Sequence, residues 1–197
     1  ARGYSQVDAL HGGLPDFPRS FTGKGVLIGV IDTGFDFMHP AFRDAEGNSR
    51  IVHVWDQSGR NGNTPSMGYG VVFDTPELIR SAAHDVSRDT HGTHVAAIAA
   101  SSADVYKGMA PESDIVVVAT DKSESGIIDA LAYLLDYAEK EKKPIAINLS
   151  MGTVIGFKDG TDPIASMIDE LLDKSGKKCL MAIAAGNEGH RNSTIVT

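Results

Sequence analysis

Val26-Leu27-Ile28-Gly29-Val30-Ile31-Asp32-Thr33-Gly34 is the stretch whose reading decides the fold. A short, nearly continuous apolar run predicts a strand buried on both faces, because a strand with one wet face would alternate. The run stops at a carboxylate and a Thr-Gly turn. Three more runs repeat the pattern: Ile115-Val116-Val117-Val118-Ala119, Ile145-Ala146-Ile147-Asn148-Leu149 and Cys179-Leu180-Met181-Ala182-Ile183-Ala184. Between them, Ile127, Ile128, Leu131, Leu134 and Leu135 recur at helical spacing before the charged end Glu139-Lys140-Glu141-Lys142. Ile164, Met167, Ile168, Leu171 and Leu172 do the same, with Asp162-Pro163 suited to a first turn and Gly176 to the stop. Strands alternating with helices predict an α/β fold of three layers, a mostly parallel sheet with helices on both faces. Right-handed crossovers then place the strand C-terminal ends along one edge, where open α/β sheets bind ligands. Asp32, Ser150 and Asn187 all follow such ends.

The segment from Asp56 to Asp89 departs from this rhythm. Gly59, Gly62, Pro65, Gly68 and Gly70 mark it as a long surface excursion, entered by a strand at Ile51-Val52-His53-Val54-Trp55 and holding a short helix at Pro76 to Ala83. No internal repeat or low-complexity tract interrupts the chain.

Composition narrows the function. A chain of 197 residues suits one domain with a sizeable core, and 42% hydrophobic with 22% charged residues is the balance of a globular chain. The formal charge of −8 argues against nucleic acid or an anionic membrane as main partner, because phosphate binding needs clustered Lys and Arg. Cys179 stands alone, so no internal disulfide and no multi-cysteine metal site is possible; it reads as a small hydrophobe in a buried strand. No apolar stretch approaches the roughly 18 residues of a membrane helix. The chain begins at Ala1 without Met, which points to processing or trimming and would hide a signal peptide; a secreted or cell-envelope location is the expectation.

The chemistry-bearing residues fall in three places. His91-Gly92-Thr93-His94-Val95-Ala96 opens a small-residue helix, with Asp89-Thr90 before it offering cap chemistry. A histidine works as a general base when a carboxylate holds its second nitrogen, and Asp32 at a strand mouth can supply that carboxylate. Alone, an aspartate there would read as a turn or cap residue. His91 and His94 are not a metal pair, since a zincin helix needs i, i+4 spacing with a glutamate between. No metal ligand is expected, and His94 reads as a buried, hydrogen-bonded structural residue, His39 as part of a turn. Asn187, in Ala184-Ala185-Gly186-Asn187-Glu188-Gly189, can donate its amide to an oxyanion. Alone it would read as an asparagine tolerating a left-handed turn. Together the three places supply parts of an acyl-transfer site.

These residues carry a resemblance. Asp32-Thr33-Gly34, His91-Gly92-Thr93-His94-Val95-Ala96 and Gly186-Asn187 resemble the three N-terminal signatures of subtilisin-like serine peptidases (subtilases), in that family's order. Asp-Thr-Gly by itself is weak, since aspartic peptidases carry it too. His39-Pro40, Gly108-Met109-Ala110-Pro111 and Asn148-Leu149-Ser150-Met151-Gly152 are also similar, so the resemblance runs from about Gly23 to Gly189. It implies that Asp32 orients, that His91 is general base and acid, and that Asn187 is the oxyanion donor. It implies a protein or peptide substrate lying along Ser150, Met151 and Gly152, with Ser123, Glu124, Ser125 and Gly126 resembling the opposing substrate strand. No cofactor is required for such chemistry. Structural calcium is possible in the family, but the Ser101 to Lys107 turn departs from the usual calcium loop and no ligand is assigned.

One part is missing. The family's nucleophile lies in Gly-Thr-Ser at a helix start beyond the oxyanion asparagine, and no Gly-Thr-Ser occurs in the 197 residues. Ser150 and Ser193 are poor substitutes, since neither opens a helical pattern next to a Gly-Thr turn. The expectation is therefore a partial domain over 1–197, truncated at its C-terminus. It should be close to inactive alone, and prone to self-associate or to pair with the part that carries the rest. Two other readings stay open. One is a non-catalytic relative kept for binding, against which the intact Asp32, His91 and Asn187 argue. The other is a Ser–His hydrolase of non-peptide esters, against which the substrate segments argue.

Overall fold

Strands β1 (Leu27–Asp32) and β4 (Asp114–Ala119) lie side by side and parallel, each buried at all but one position. Burying a Val, Leu or Ile side chain is worth about 1.5–3 kcal/mol, so these unbroken runs anchor the sheet's centre. The computed structural model describes residues 7–13, 20–60, 62–87, 89–152 and 160–187. Around the central pair it adds β2 (Ile51–Asp56), β3 (Val71–Phe73), β5 (Ile145–Leu149) and β6 (Cys179–Ile183) in the order β3-β2-β4-β1-β5-β6. Every pairing is parallel except β2 with β3, the edge strand contributed by the Gly-rich excursion. The mostly parallel three-layer architecture expected from the sequence is what the chain forms.

The helices are α1 (Val7–Gly12), α2 (Pro76–Ala82), α3 (His91–Ala100), α4 (Glu124–Glu141) and α5 (Pro163–Ser175). Alternation along β4 splits the core in two. Val116 and Val118 face Ile128, Leu131 and Leu134 of α4, with Ile168 of α5 in the same cluster. Ile115 and Val117 face the other way, toward Ala96 and Ala100 of α3 and Ile79 of α2. On β1, Ile31 belongs to the first cluster and Val30 to the second. The next alternation turns Asp32 to the α3 face. The sheet thereby aims the carboxylate at the helix that begins with His91.

Helix ends follow the sequence signals. The Asp162 side chain accepts from Ile164 N at 2.9 Å with Pro163 in the first turn of α5, and Gly176 ends that helix at φ 69°. Two expectations are corrected. Ser123 to Gly126 is not extended: Ser123 caps α4, its Oγ accepting from Gly126 N at 2.9 Å, and Glu124 to Gly126 form the first turn. The serine's capping power outweighs any strand preference there. Cys179 to Ile183 is a strand but not a buried one, with Leu180 77% and Ile183 50% exposed and Cys179 half-buried. Among the described residues β6 has a single neighbour, β5, which leaves its outer edge open. No described helix is long and apolar enough to cross a membrane.

Candidate active site

Asp32 ends β1 with only 2% of its side chain exposed, and His91 opens α3 with 48% exposed. Nδ1 of His91 lies 2.8 Å from Oδ1 and 2.9 Å from Oδ2 of Asp32, so the imidazole sits across both carboxylate oxygens. An ionised carboxylate can only accept, which assigns the proton to Nδ1 and leaves Nε2 with its lone pair on a half-exposed ring. Asp32 Oδ1 also accepts from its neighbour Thr33 N at 2.7 Å, and the Asp32 carbonyl accepts from Thr120 N at 2.9 Å on β4's far end. The carboxylate is thus held from its own loop, and the backbone that carries it is held from the end of the adjacent strand.

The two elements are also joined by their backbones. The first amides of a helix have no partner within it. In α3, Gly92 N donates to Thr33 O at 2.7 Å and Thr93 N to Gly34 O at 3.0 Å. Thr93 Oγ1 donates to Gly34 O at 2.9 Å and accepts from Asp36 N at 2.7 Å. The cap expected from Asp89-Thr90 is therefore replaced: Thr90 holds the cap position without a side-chain bond, and the Asp32 loop supplies the acceptors. Close approach demands glycine at Gly34, where φ is 82° and a Cβ would stand 2.5 Å from the Asp89 backbone.

Asp85 is a residue that the sequence reading missed. It is 2% exposed, and its Oδ2 accepts from Gly34 N at 2.8 Å and its Oδ1 from Phe35 N at 3.3 Å. Burial, opposed by these amides, pushes its carboxyl up. Nothing in the polar excursion distinguishes Asp85 from a solvated aspartate; only the fold brings it beneath the Asp32 loop. Asp56 is also buried, its carboxyl pushed up by burial, with Oδ1 accepting from Ser58 N at 3.0 Å and Gly59 N at 3.1 Å. Asp56 and Asp85 border a cavity of about 200 Å³ beside Thr33. Their bonds to backbone amides make them loop anchors. Among the described residues no cluster of three or more His, Cys, Asp or Glu is arranged to hold a metal ion.

The remaining site residues gather at the same edge. Ala184 N donates to Leu149 O at 3.0 Å, carrying the β5–β6 alignment past the strand ends. Gly152 then adjoins the loop after β6: a Cβ on it would lie 3.4 Å from Ala184 O and 3.7 Å from Gly186. Ser150 Oγ accepts from Asn148 Nδ2 at 2.8 Å, and Asn187 is exposed just after Gly186, which has φ 92°. Ser150, Met151 and Gly152 thus follow β5, the neighbour of β1, and Asn187 follows β6, the strand beyond it. Ser123 to Gly126 lie past β4 on the other side. A second missed residue, Gln57, holds that loop, donating Nε2 to Gly126 O at 2.7 Å and accepting from Asp121 N at 3.1 Å. Ser193 lies outside the described residues, as do Glu188 and Gly189.

His94 is corrected. It was expected to be buried and is exposed, because it shares an outward face of α3 with Ile98, itself 50% exposed. His39 is the turn residue that was expected, its Nδ1 accepting from Ala41 N at 3.2 Å.

Comparison with known proteins places this geometry in context. The sequence profile of the subtilase family matches residues 23–197. The chain is 30% identical over 189 residues to the subtilisin-like protease PopC of Myxococcus xanthus, covering 87% of this chain and 35% of that protein. It is 29% identical over 192 residues to the serine protease AprX of Bacillus subtilis, covering 91% of this chain and 37% of that one. Among solved structures it superimposes on the CspB protease of Clostridium perfringens with a TM-score of 0.70 at 30% identity, covering 86% of this chain and 38% of that one. The chain spans less than two fifths of the length of each.

Proposed function

The chain belongs to the subtilase family, and we propose that it supplies the aspartate, the histidine and the oxyanion asparagine of a serine endopeptidase whose nucleophile lies outside these residues. The observation that carries this reading is the Asp32–His91 contact at 2.8 and 2.9 Å. Asp32 fixes Nδ1–H and so keeps Nε2 as the base. Nε2 takes the proton of the serine hydroxyl while its oxygen attacks the scissile carbonyl carbon. Asn187 donates its amide to the oxyanion that forms. The imidazolium, stabilised by Asp32, then protonates the leaving amine, and water repeats the sequence to free the acyl group. Ser150, Met151 and Gly152 would border the extended peptide on one side, and Ser123 to Gly126, a helix cap rather than a strand, on the other.

The absence of Gly-Thr-Ser from the 197 residues supports placing the nucleophile elsewhere. The exposed Leu180 and Ile183 of β6 support the companion proposal that this chain pairs with a further segment or with itself. A secreted or cell-envelope location belongs to the same proposal, and fractionation of the producing cells tests it. The function is tested in the protein that includes the C-terminal part, by peptide hydrolysis. Asp32→Asn and His91→Ala should each lower turnover by on the order of 10⁴ or more, as in dissected serine peptidases. Turnover unchanged by either substitution would leave the non-catalytic reading.

A further inference from the structure

On the face of the sheet opposite α3, a cavity of about 340 Å³ opens between β2 and the second half of α4. It shares no lining residue with the Asp32 site, and none of the chemistry above uses it. Its wall is aromatic. His53 comes from β2, and its ring lies 4.5 Å from that of Tyr137 and 5.7 Å from that of Tyr133, centre to centre. Tyr133 in turn stands 4.7 Å from Trp55.

His53 is an odd residue to find at this position. It is only 8% exposed, between the apolar neighbours Val52 and Val54 of β2, and buried polar groups normally find partners. Its Nε2 lies 2.6 Å from the Tyr133 hydroxyl. Nδ1 has no hydrogen-bond partner among the described residues. Burial lowers His53 to about 4, so at neutral pH the wall carries no positive charge.

The rim is acidic. Asp74, Asp136 and Glu141 stand against one cation, Lys140, whose Nζ is already 2.6 Å from Asp136 Oδ2. Asp74 and Glu141 have no ion-pair partner among the described residues. Their field reaches the wall: burial first, then the charges of Glu141, Asp114 and Asp74, push Tyr137 up to about 12. An aromatic face, two uncompensated carboxylates and a ring nitrogen without a partner in one concavity fit a planar cation that only donates hydrogen bonds. A guanidinium stacks on rings, pairs with carboxylates and gives up water more readily than an ammonium.

We propose that this cavity is a second, non-catalytic binding site that takes an arginine side chain of a polypeptide. The site would serve as a docking point for a basic segment on a chain that itself carries a formal charge of −8. It does not depend on Asp32 or His91.

The test is an NMR titration of the chain with N-acetyl-arginine amide, with N-acetyl-citrulline amide as the uncharged isostere, following the rings of His53, Tyr137 and His91. Saturable shifts at His53 and Tyr137 are expected for the arginine compound and none for citrulline. Asp74→Asn with Glu141→Gln should weaken binding at least tenfold, whereas Lys140→Gln, which frees Asp136, should tighten it. His91→Ala should change nothing, which separates this site from the peptidase reading. A Gly-Arg-Gly amide should bind at least as tightly as the single residue; weaker binding would overturn the polypeptide ligand. Equal binding of citrulline, indifference to the carboxylate substitutions, or shifts confined to His91 would overturn the site itself.

Discussion

The backbone amide of Gly92 donates to the carbonyl of Thr33 at 2.7 Å, fastening the residue after the proposed base to the residue after the proposed orienting acid. The contact does two things at once. It satisfies a helix-start amide that would otherwise lack a partner, and it fixes where α3 begins relative to the end of β1. The 2.8 Å Asp32–His91 bond is then a consequence of backbone geometry as well as of charge.

The first prediction concerns Gly34. Gly34→Ala meets both a left-handed φ of 82° and a 2.5 Å clash with the Asp89 backbone. It should cost about 1–3 kcal/mol or more in urea unfolding and displace His91 from Asp32. A stability equal to that of the parent chain would show that the loop can retreat from the entry to α3.

Thr93 carries the second. Its hydroxyl donates to Gly34 O and accepts from Asp36 N. Thr93→Val keeps the shape but loses both bonds, and should destabilise the chain by about 1–3 kcal/mol. Thr93→Ser should recover most of that loss. Equal stability of the Val and Ser variants would assign Thr93 a packing role only.

Much of this was readable in the sequence, and the reasons are local. The buried runs at Leu27, Ile115 and Ile145 define parallel strands by composition alone, and Asp162-Pro163 with Gly176 marks both ends of α5. Asp32 and His91 were legible because each sits where a strand ends or a helix starts. Asp85, Gln57 and the backbone cap of α3 were not, since each depends on contacts between distant segments and uses residues common in any loop. Ser123 misled because a resemblance to a substrate strand concealed an ordinary helix cap. His94 and Leu180 misled because apolar surroundings in sequence do not reveal which face of an element is covered.

Asn187 is the subject of the third prediction, made for the protein that includes the C-terminal part. Asn187→Ala should lower turnover by roughly 10² to 10³ with KM little changed, as for an oxyanion donor. A raised KM with unchanged turnover would make it a substrate-binding or turn residue instead.

The fourth concerns pH. Burial lowers His53 from 6.5 to about 4, so between these values the unfolded chain binds the proton that the folded chain refuses. His53 therefore contributes stability that is fully present above 6.5 and is lost as the pH falls to about 4, on the order of 3 kcal/mol. Asp56 and Asp85, with carboxyls raised by burial, act in the opposite sense as the pH falls. Comparison with His53→Gln, in which both aspartates remain, isolates the histidine. Unfolding free energies at pH 4.5 and 7 should differ less in that variant than in the parent chain. An identical difference in both would remove His53 as the source.

The central claim is that Asp32 and His91 form a working base for a nucleophile these 197 residues do not supply. Labelling with a serine-directed fluorophosphonate tests it most directly, run on this chain, on the protein that includes the C-terminal part, and on His91→Ala in that longer protein. The account predicts no label on this chain, stoichiometric label on a serine of the longer protein beyond residue 197, and labelling slowed by several orders of magnitude in the His91 variant. Stoichiometric labelling of this chain, or a His91 variant that reacts at the parent rate, would contradict it.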